Sequence, residues 1–137
     1  MNFYRFISVI AAVSLSVFAA KAQNQAPKTP EEKEKQLMEF IDKEVQRLSG
    51  MLELEYWQEF YVDSTLTHDY KAMTEEMENM SKAKVENTDL YQNVQDKWMQ
   101  QIDNTYKKYF TPEQWAKYWK NGGKRAQAAR DKRKNKK

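Results

Sequence analysis

Few residues of this sequence could take part in catalysis or metal binding. The single histidine, His68, is followed by Asp69, and Asp63 lies five residues upstream. A histidine and a carboxylate can share a proton or a metal ion when both side chains lie on one face of a helix. Adjacent helical residues point about 100° apart, and the positions four residues from His68 hold Ser64 and Ala72. We therefore predict a solvent-exposed histidine and no catalytic, metal or cofactor site, while a metal protein centred on His68 remains the competing hypothesis.

The composition excludes several other classes of protein. The chain has 137 residues and no cysteine, so thiol catalysis, zinc–thiolate sites and disulfide scaffolds are ruled out. Only 3 glycines and 3 prolines argue against a β architecture with many turns. No G-x-S-x-G or phosphate-binding loop motif is present. We expect one small domain that is not an enzyme.

The N-terminal residues have the pattern of a secretory signal peptide. Arg5 is followed by an apolar run from Phe6 to Ala20, and Ala20-Lys21-Ala22 resembles a signal-peptidase site. The run is shorter than the roughly 20 residues that cross a bilayer. We predict a signal peptide over residues 1–22, a polar leader over 23–28 and no transmembrane span in the mature chain. The alternative is an uncleaved anchor. An exported protein without cysteine fits the periplasm better than an animal extracellular fluid, and secretion into the medium is the second possibility.

The rest of the chain is predicted to be all-α, with a helical domain over residues 29–123. Thr29, Pro30 and Glu32 form the start of a first helix, with Thr29 as N-cap and Glu32 completing a capping box. Ser49 and Gly50 are predicted to end it, since glycine is the usual left-handed cap. Apolar residues recur between these limits at steps of three and four: Leu37, Phe40, Ile41, Val45 and Leu48.

A second helix is predicted from about Leu52 to Ser81, and a third begins after Asn87 or Thr88. Because the connection is short, the two should form a long antiparallel hairpin, giving an elongated protein with short flanking helices and three to four helices in all. The later part of the second helix carries an apolar stripe at spacings of 4, 3, 4 and 3: Leu66, Tyr70, Met73, Met77 and Met80. This stripe is interpreted either as core or as an adaptable binding surface.

A fourth helix start is the most complete local motif in the sequence. It comprises Phe110, Thr111, Pro112, Glu113, Gln114 and Trp115. Thr111 is predicted to cap the helix, Pro112 suits its first turn, and Gln114 can return a hydrogen bond to the Thr111 amide. The sequence Asn-Gly-Gly at 121–123 is then expected to stop or kink the helix.

The charge is unevenly distributed along the chain. Residues 124–137 contain eight basic side chains and one acidic one, whereas residues 23–123 have a net charge of −6. We predict a frayed or disordered tail, with two interpretations: the acidic body holds it, or it attracts a polyanionic partner. Nucleic acid is not expected as that partner, because the tail lacks aromatic residues that would stack on bases.

The motif at 110–114 resembles the LTxxQ signature of the Spy/CpxP group of periplasmic helical proteins. A second, partial copy is Leu54-Glu55-Tyr56-Trp57-Gln58, in which Glu55 replaces the threonine and lies inside the predicted second helix. The resemblance covers roughly residues 51–120. It implies an all-α hairpin that dimerises into a curved cradle, and a role as an ATP-independent chaperone or stress-response protein that binds unfolding envelope proteins. The acidic body departs from the basic, apolar concave face of the chaperone members.

The resemblance and the exposed side chains expected from the helical pattern give one candidate client or partner surface. It consists of Tyr56, Trp57, Phe60, Tyr61, Met73, Met77, Met80, Lys124, Arg125 and Arg130. The alternative function is a non-catalytic binding or scaffold module, which would hold an envelope partner through the aromatic band and the basic tail.

Overall fold

The computed structural model describes residues 27–136, and these contain helices and no strand. The all-α prediction is therefore confirmed, whereas the predicted signal peptide and leader residues 23–26 lie outside the described residues. The helices are α1 (Pro30–Leu52), α2 (Tyr56–Lys82), α3 (Thr88–Tyr109), α4 (Pro112–Tyr118) and α5 (Lys124–Lys134), with a π-helical turn at Trp119–Gly123 between the last two. Within the described residues, no helix has the length and apolar character needed to traverse a membrane.

The first helix begins as predicted but ends later. The Thr29 backbone N–H donates to Glu32 Oε2 (3.0 Å), and the Glu32 N–H donates to Thr29 Oγ1 (3.2 Å). The predicted end at Gly50 is wrong, since α1 continues to Leu52. Leu52 lies one turn beyond Leu48, and both are buried, so the extra turn adds apolar area to the core. The left-handed backbone conformation occurs at Glu53 instead (φ 52°).

Helices α2 and α3 form the predicted antiparallel hairpin. The rings of Tyr61 and Tyr109 stack near one end (4.6 Å between centroids). Further along, Lys97 Nζ lies 2.6 Å from Glu76 Oε2. Residue numbers therefore increase along α2 as they decrease along α3, as in an antiparallel pair. Hydrogen bonds from Lys97 and then from Trp98 hold the pKa of Glu76 below its usual value. The connection ends at Asn87, whose Oδ1 accepts from the Asp89 N–H (2.9 Å) and caps α3.

The core lies where α1, α2 and α3 meet, and residues from the turn before α4 close one end of it. Its buried apolar members are Ile41, Leu48, Leu52, Val62, Leu66, Tyr70, Met73, Val94, Ile102, Tyr106 and Phe110. The Phe40 and Tyr70 rings meet edge to face at 5.3 Å, joining α1 to α2. The predicted stripe on α2 is therefore used mainly for packing.

Residues Lys124–Lys134 form helix α5, so the prediction of a frayed tail is wrong for this part of the chain. Gly122, with φ 136°, produces the kink that separates α5 from α4. Arg130 donates to Asp103 Oδ2 on α3, and Arg133 makes two hydrogen bonds of 2.7 Å to Asp96. The acidic body thus holds part of the basic tail, which agrees with one of the two interpretations of the charge pattern.

Candidate functional site

The starts of α2 and α4 have the same local structure. At α2, Glu55 and Gln58 form a capping box, in which Gln58 Oε1 accepts from the Glu55 N–H (3.0 Å). At α4, Thr111 Oγ1 accepts from the Gln114 N–H (3.2 Å), and Gln114 Oε1 accepts from the Thr111 N–H (2.9 Å). The expectation that Glu55 lies inside a helix is wrong, because Glu55 is an N-cap that takes the place of threonine.

The two glutamines of these caps are paired with each other. Gln58 Nε2 donates to Gln114 Oε1 (2.7 Å), and Gln114 Nε2 donates to Gln58 Oε1 (3.0 Å). Their second amide hydrogens reach the carbonyl oxygens of Tyr109 (2.9 Å) and Leu52 (3.3 Å), respectively. We call this set of four residues, Gln58, Gln114, Glu55 and Thr111, the motif junction. Gln58 is only 2% exposed and fully hydrogen-bonded, so the junction fixes the backbone and offers no reactive group.

The remaining motif residues surround this junction. Leu54 is half-buried and packs against the core, Phe110 is buried, and Pro112 and Glu113 are exposed at the start of α4. The Phe110 ring stacks on Tyr106 with 5.0 Å between centroids. Trp115 is half-buried, and the ammonium group of Lys107 lies 5.9 Å from the centre of its ring. These contacts are those of a tightly packed helix junction.

Directly beside the junction, α2 carries an aromatic patch, by which we mean Tyr56, Trp57, Phe60 and Tyr61. Tyr56 is 87% exposed and Phe60 is 60% exposed, and the other two are also exposed. The positions form two pairs four residues apart on the outer side of α2, while Gln58, Val62 and Leu66 face the core on the opposite side.

Ring contacts give the aromatic patch a defined arrangement. Tyr61 meets both Trp57 (6.2 Å) and Phe60 (5.7 Å) edge to face, and its other side stacks on Tyr109 of α3. The Trp57 indole N–H donates to Glu55 Oε2 (2.7 Å), so the motif junction orients one of the exposed rings. Together the four side chains present an apolar and aromatic surface to solvent, a feature that marks interaction sites in soluble proteins.

The methionines of the candidate surface belong largely to the interior. Met73 is buried in the core, so its assignment to a binding surface is wrong. Met77 and Met80 are half-buried and pack against the same core. Met80 also lines a shallow depression at the far end of the hairpin together with Val85.

The basic part of the candidate surface is split by the structure. Lys124 and Arg125 are exposed on α5. Arg130 is 3% exposed and bound to Asp103, so its assignment to a partner surface is wrong. Tyr118 also donates to Asp103, with 2.5 Å between the oxygens, and burial together with this negative charge raises the pKa of Tyr118. Through these contacts Asp103 holds α4 and α5 against α3.

His68 has the exposed position predicted for it. Its side chain is 74% exposed, and Nδ1 lies 2.7 Å from Asp69 Oδ1. Asp69 is buried and also accepts from Gln101 Nε2 of α3 (3.1 Å), which makes it a hairpin contact. In the described part of the chain, no three histidine or carboxylate side chains converge as metal ligands would.

Two features of the site are not predicted from the sequence. The first is the pairing of Gln58 with Gln114, although both end an equivalent four-residue motif. The second is the set of acceptors for α5, for which the only sequence signal is that Asp96 and Asp103 lie seven residues apart, on one face of a helix.

Comparisons with known proteins give no assignment. No family model matches the sequence, and no curated protein or solved structure matches it either.

Proposed function

We propose that this protein is an exported, non-catalytic binding protein of the Spy/CpxP kind, which holds unfolding envelope proteins without ATP. The observation that carries the proposal is the aromatic patch: a surface of four exposed aromatic side chains on one helix. Unfolding proteins expose apolar side chains, and a surface rich in aromatic residues can contact many of them without requiring one sequence.

The position of the aromatic patch supports the same function. A binding surface is more effective when its side chains are oriented before the partner arrives, because less conformational entropy is lost on binding. The capping box at Glu55 and Gln58 fixes the first turn of α2, and Tyr61 is held by its stack on Tyr109. Trp57 and Tyr61 are therefore oriented before a partner arrives, on a helical support.

The motif junction supports the resemblance to the Spy/CpxP group. The sequence Leu-Glu-x-x-Gln at 54–58 makes the same helix cap as Phe-Thr-x-x-Gln at 110–114, despite the different residue at the N-cap. The two halves of the paired motif thus act as equivalents in this chain. Dimerisation into a cradle is part of the proposal, and a hydrodynamic measurement of mass and radius tests it.

An aggregation assay tests the proposed function. A chemically reduced or urea-diluted client protein is allowed to precipitate without ATP, with and without equimolar protein. We expect wild-type protein to slow precipitation and the double substitution Tyr56→Ser/Phe60→Ser to lose most of this effect. Leu90→Ser is the matched control, because Leu90 is 44% exposed but lies on α3 and outside the aromatic patch. If wild-type protein leaves the precipitation rate unchanged, the proposal is wrong.

The alternative, a scaffold for one folded envelope partner, draws on the same surface and on the exposed part of α5. A pull-down from envelope extract under native conditions separates the two functions. A scaffold recovers one folded partner in fixed ratio, whereas a chaperone recovers many proteins whose amounts rise after heat or urea treatment. Substituting Lys124 and Lys132 by glutamine tests the contribution of α5. If the variant recovers the same partner in the same amount at every salt concentration, α5 does not contribute to binding.

Export is a separate part of the proposal, resting on residues 1–22. Expression in a bacterium followed by cell fractionation should place the protein in the envelope fraction. N-terminal sequencing of that protein should begin at Gln23. A full-length chain retained in the cytoplasm would contradict this part.

A further inference from the structure

The aromatic patch lies in a stretch of the chain that carries negative charge. No lysine or arginine occurs between Arg47 and Lys71, whereas five acidic residues do. Arg47 is itself engaged by Glu44, with hydrogen bonds of 2.6 and 2.8 Å. A ligand approaching this part of α2 therefore meets carboxylates without neighbouring cations on the same helix.

One carboxylate is bonded to the aromatic patch directly. Glu55 Oε2 accepts the indole N–H of Trp57 at 2.7 Å, and the residue is exposed. Because a carboxylate has two oxygens with several acceptor positions, this bond leaves Glu55 able to accept from a cationic partner.

Two further carboxylates lie along the same face. Glu59 follows Tyr56 by three residues, and Asp63 follows Phe60 by three residues, which makes each pair neighbours on the helix surface. Glu59 also accepts from Ser49 of α1, which orients it, and both carboxylates are half-buried. The patch is thus bordered by acidic side chains at successive turns of α2.

Across the hairpin the charge near the patch is different. Lys107 and Lys108 precede Tyr109, the residue on which Tyr61 stacks. Lys107 is directed toward Trp115, 5.9 Å from its ring centre. The negative character therefore belongs to the α2 side, where the four patch residues are exposed.

This inference rests on the proposed binding function. From the charge and the exposed rings we infer that the aromatic patch recognises polypeptide segments in which lysine or arginine alternates with apolar side chains. A cationic group over an aromatic face is attracted to the ring electrons, and the bordering carboxylates favour the same cation. The apolar side chains of the segment contact the remaining ring surface. The preferred partner is therefore basic, whereas a basic binding face would select an acidic one.

Three synthetic peptides of equal length test this charge preference by fluorescence anisotropy. They alternate leucine with lysine, with glutamate or with serine, and carry the same dye. With the full chain, the lysine peptide should bind about tenfold more tightly than the glutamate peptide, since several cation–ring and charge contacts contribute together. The difference should shrink at high salt.

Charge variants assign the preference to the patch. The double variant Glu59→Gln/Asp63→Asn keeps hydrogen-bond acceptors at both positions and should reduce the lysine-over-glutamate preference by at least about threefold. The matched control Glu75→Gln/Glu86→Gln removes the same charge at exposed positions outside the patch and should keep the preference. Melting temperatures of all variants are measured, so loss of structure is not mistaken for loss of binding.

Different results separate this inference from the proposed function. Equal binding of the lysine and glutamate peptides, or the same loss in the control variant, overturns the inference, while suppression of client aggregation would leave the proposed function intact. Self-association of the chain also overturns the inference if Phe60→Ser abolishes it and the lysine peptide does not compete with it. The aromatic patch would then bind a second copy of the chain. If no peptide binds and aggregation is unaffected, both fail.

Discussion

The side-chain amides of Gln58 and Gln114 donate hydrogen bonds to each other across 56 positions of sequence. Each amide also accepts from the N-cap of its own helix, and each donates to a carbonyl oxygen at the end of another helix. The pair therefore links the turn between α1 and α2 to the turn between α3 and α4. Each glutamine side chain thus satisfies backbone groups at two separate helix ends and also pairs with the other glutamine.

Replacing Gln58 by leucine should lower the free energy of unfolding by about 2–4 kcal/mol. It leaves the Glu55 N–H and the Tyr109 carbonyl without their Gln58 partner and removes the two hydrogen bonds between Gln58 and Gln114. Gln114→Leu should have a similar effect. The double variant should cost about 1–3 kcal/mol less than the sum of the single costs. Urea denaturation measures this, with Gln46→Leu, an exposed position on α1, as the control. Additive costs would show that the two glutamines act independently.

The caps illustrate how far the sequence predicts this structure. The start of α4 is predictable because all of its groups lie within four residues. The cap at Glu55 is not, since a glutamate followed by aromatic residues also fits the interior of a helix. The pairing of the two glutamines depends on the hairpin that brings them together, and no local pattern encodes that distance.

Exposed and buried apolar residues should respond differently to substitution. Phe60→Ser should change the free energy of unfolding by less than about 0.5 kcal/mol, because the side chain is largely in solvent. Ile102→Ala, at a buried position, should cost about 2–5 kcal/mol. The two variants are compared by urea denaturation and in the aggregation assay. A large loss of stability in Phe60→Ser would identify the aromatic patch as part of the core.

Asp103 should be among the most sensitive positions to truncation. In Asp103→Ala the guanidinium group of Arg130 stays buried without its counter-charge, which should cost about 3–5 kcal/mol. The double variant Asp103→Leu/Arg130→Met should recover most of that loss, because neither charge remains. Asp96→Ala is the comparison: its partner Arg133 has a side chain that is 40% exposed, so about 1 kcal/mol is expected.

Two results of the Asp103 and Asp96 substitutions would contradict this expectation. If Asp103→Ala and Asp96→Ala lose equal stability, the depth of burial of the ion pair makes no difference to its contribution. If the double variant is as unstable as Asp103→Ala, apolar side chains cannot replace the pair at this position.

Stability should fall at alkaline pH because of three tyrosines, of which Tyr70 and Tyr106 are buried and Tyr118 is half-buried. Burial, as the main cause, raises the pKa values of Tyr70, Tyr106 and Tyr118 above their ordinary value. Their contribution is complete below about pH 10, where unfolded tyrosine also holds its proton, and it declines above that pH as the unfolded chain ionises. Each should contribute a slope of about 1.4 kcal/mol per pH unit there.

Denaturation measured across this pH range, together with tyrosinate absorbance, checks that expectation. Tyr118→Phe should flatten the decline, whereas Tyr56→Phe should leave it unchanged, because Tyr56 is 87% exposed. A decline of equal slope in both variants would assign the effect to lysines or other groups.

Two glycines should give opposite results. Gly50 lies within α1, and a methyl group added there would meet no atom within 4 Å, so Gly50→Ala should stabilise the protein by about 0.5–1 kcal/mol. Gly122 has φ 136°, a backbone angle that residues with a side chain rarely adopt. Gly122→Ala should therefore lower the free energy of unfolding by about 1–3 kcal/mol. Thermal unfolding of both variants measures the difference. Stabilisation by both substitutions would contradict the backbone geometry of the kink.

The C-terminal helix shows why the remaining part of the fold could not be predicted. Residues 124–134 have no apolar stripe, so the usual signal of a packed helix is absent. The helix is held instead by Arg130 and Arg133, whose acceptors lie 27 and 37 residues earlier in the chain. In the sequence, a basic residue that pairs with a carboxylate this far along the chain cannot be distinguished from a basic residue in solvent.

The order of synthesis gives this arrangement one more consequence. A ribosome makes Asp103 well before Arg130, which is 27 residues further along. Until that arginine emerges, the third helix can pack only with an uncompensated negative charge facing inward. We therefore expect a nascent chain arrested before residue 130 to be less stable than the complete protein and more readily cleaved by proteases.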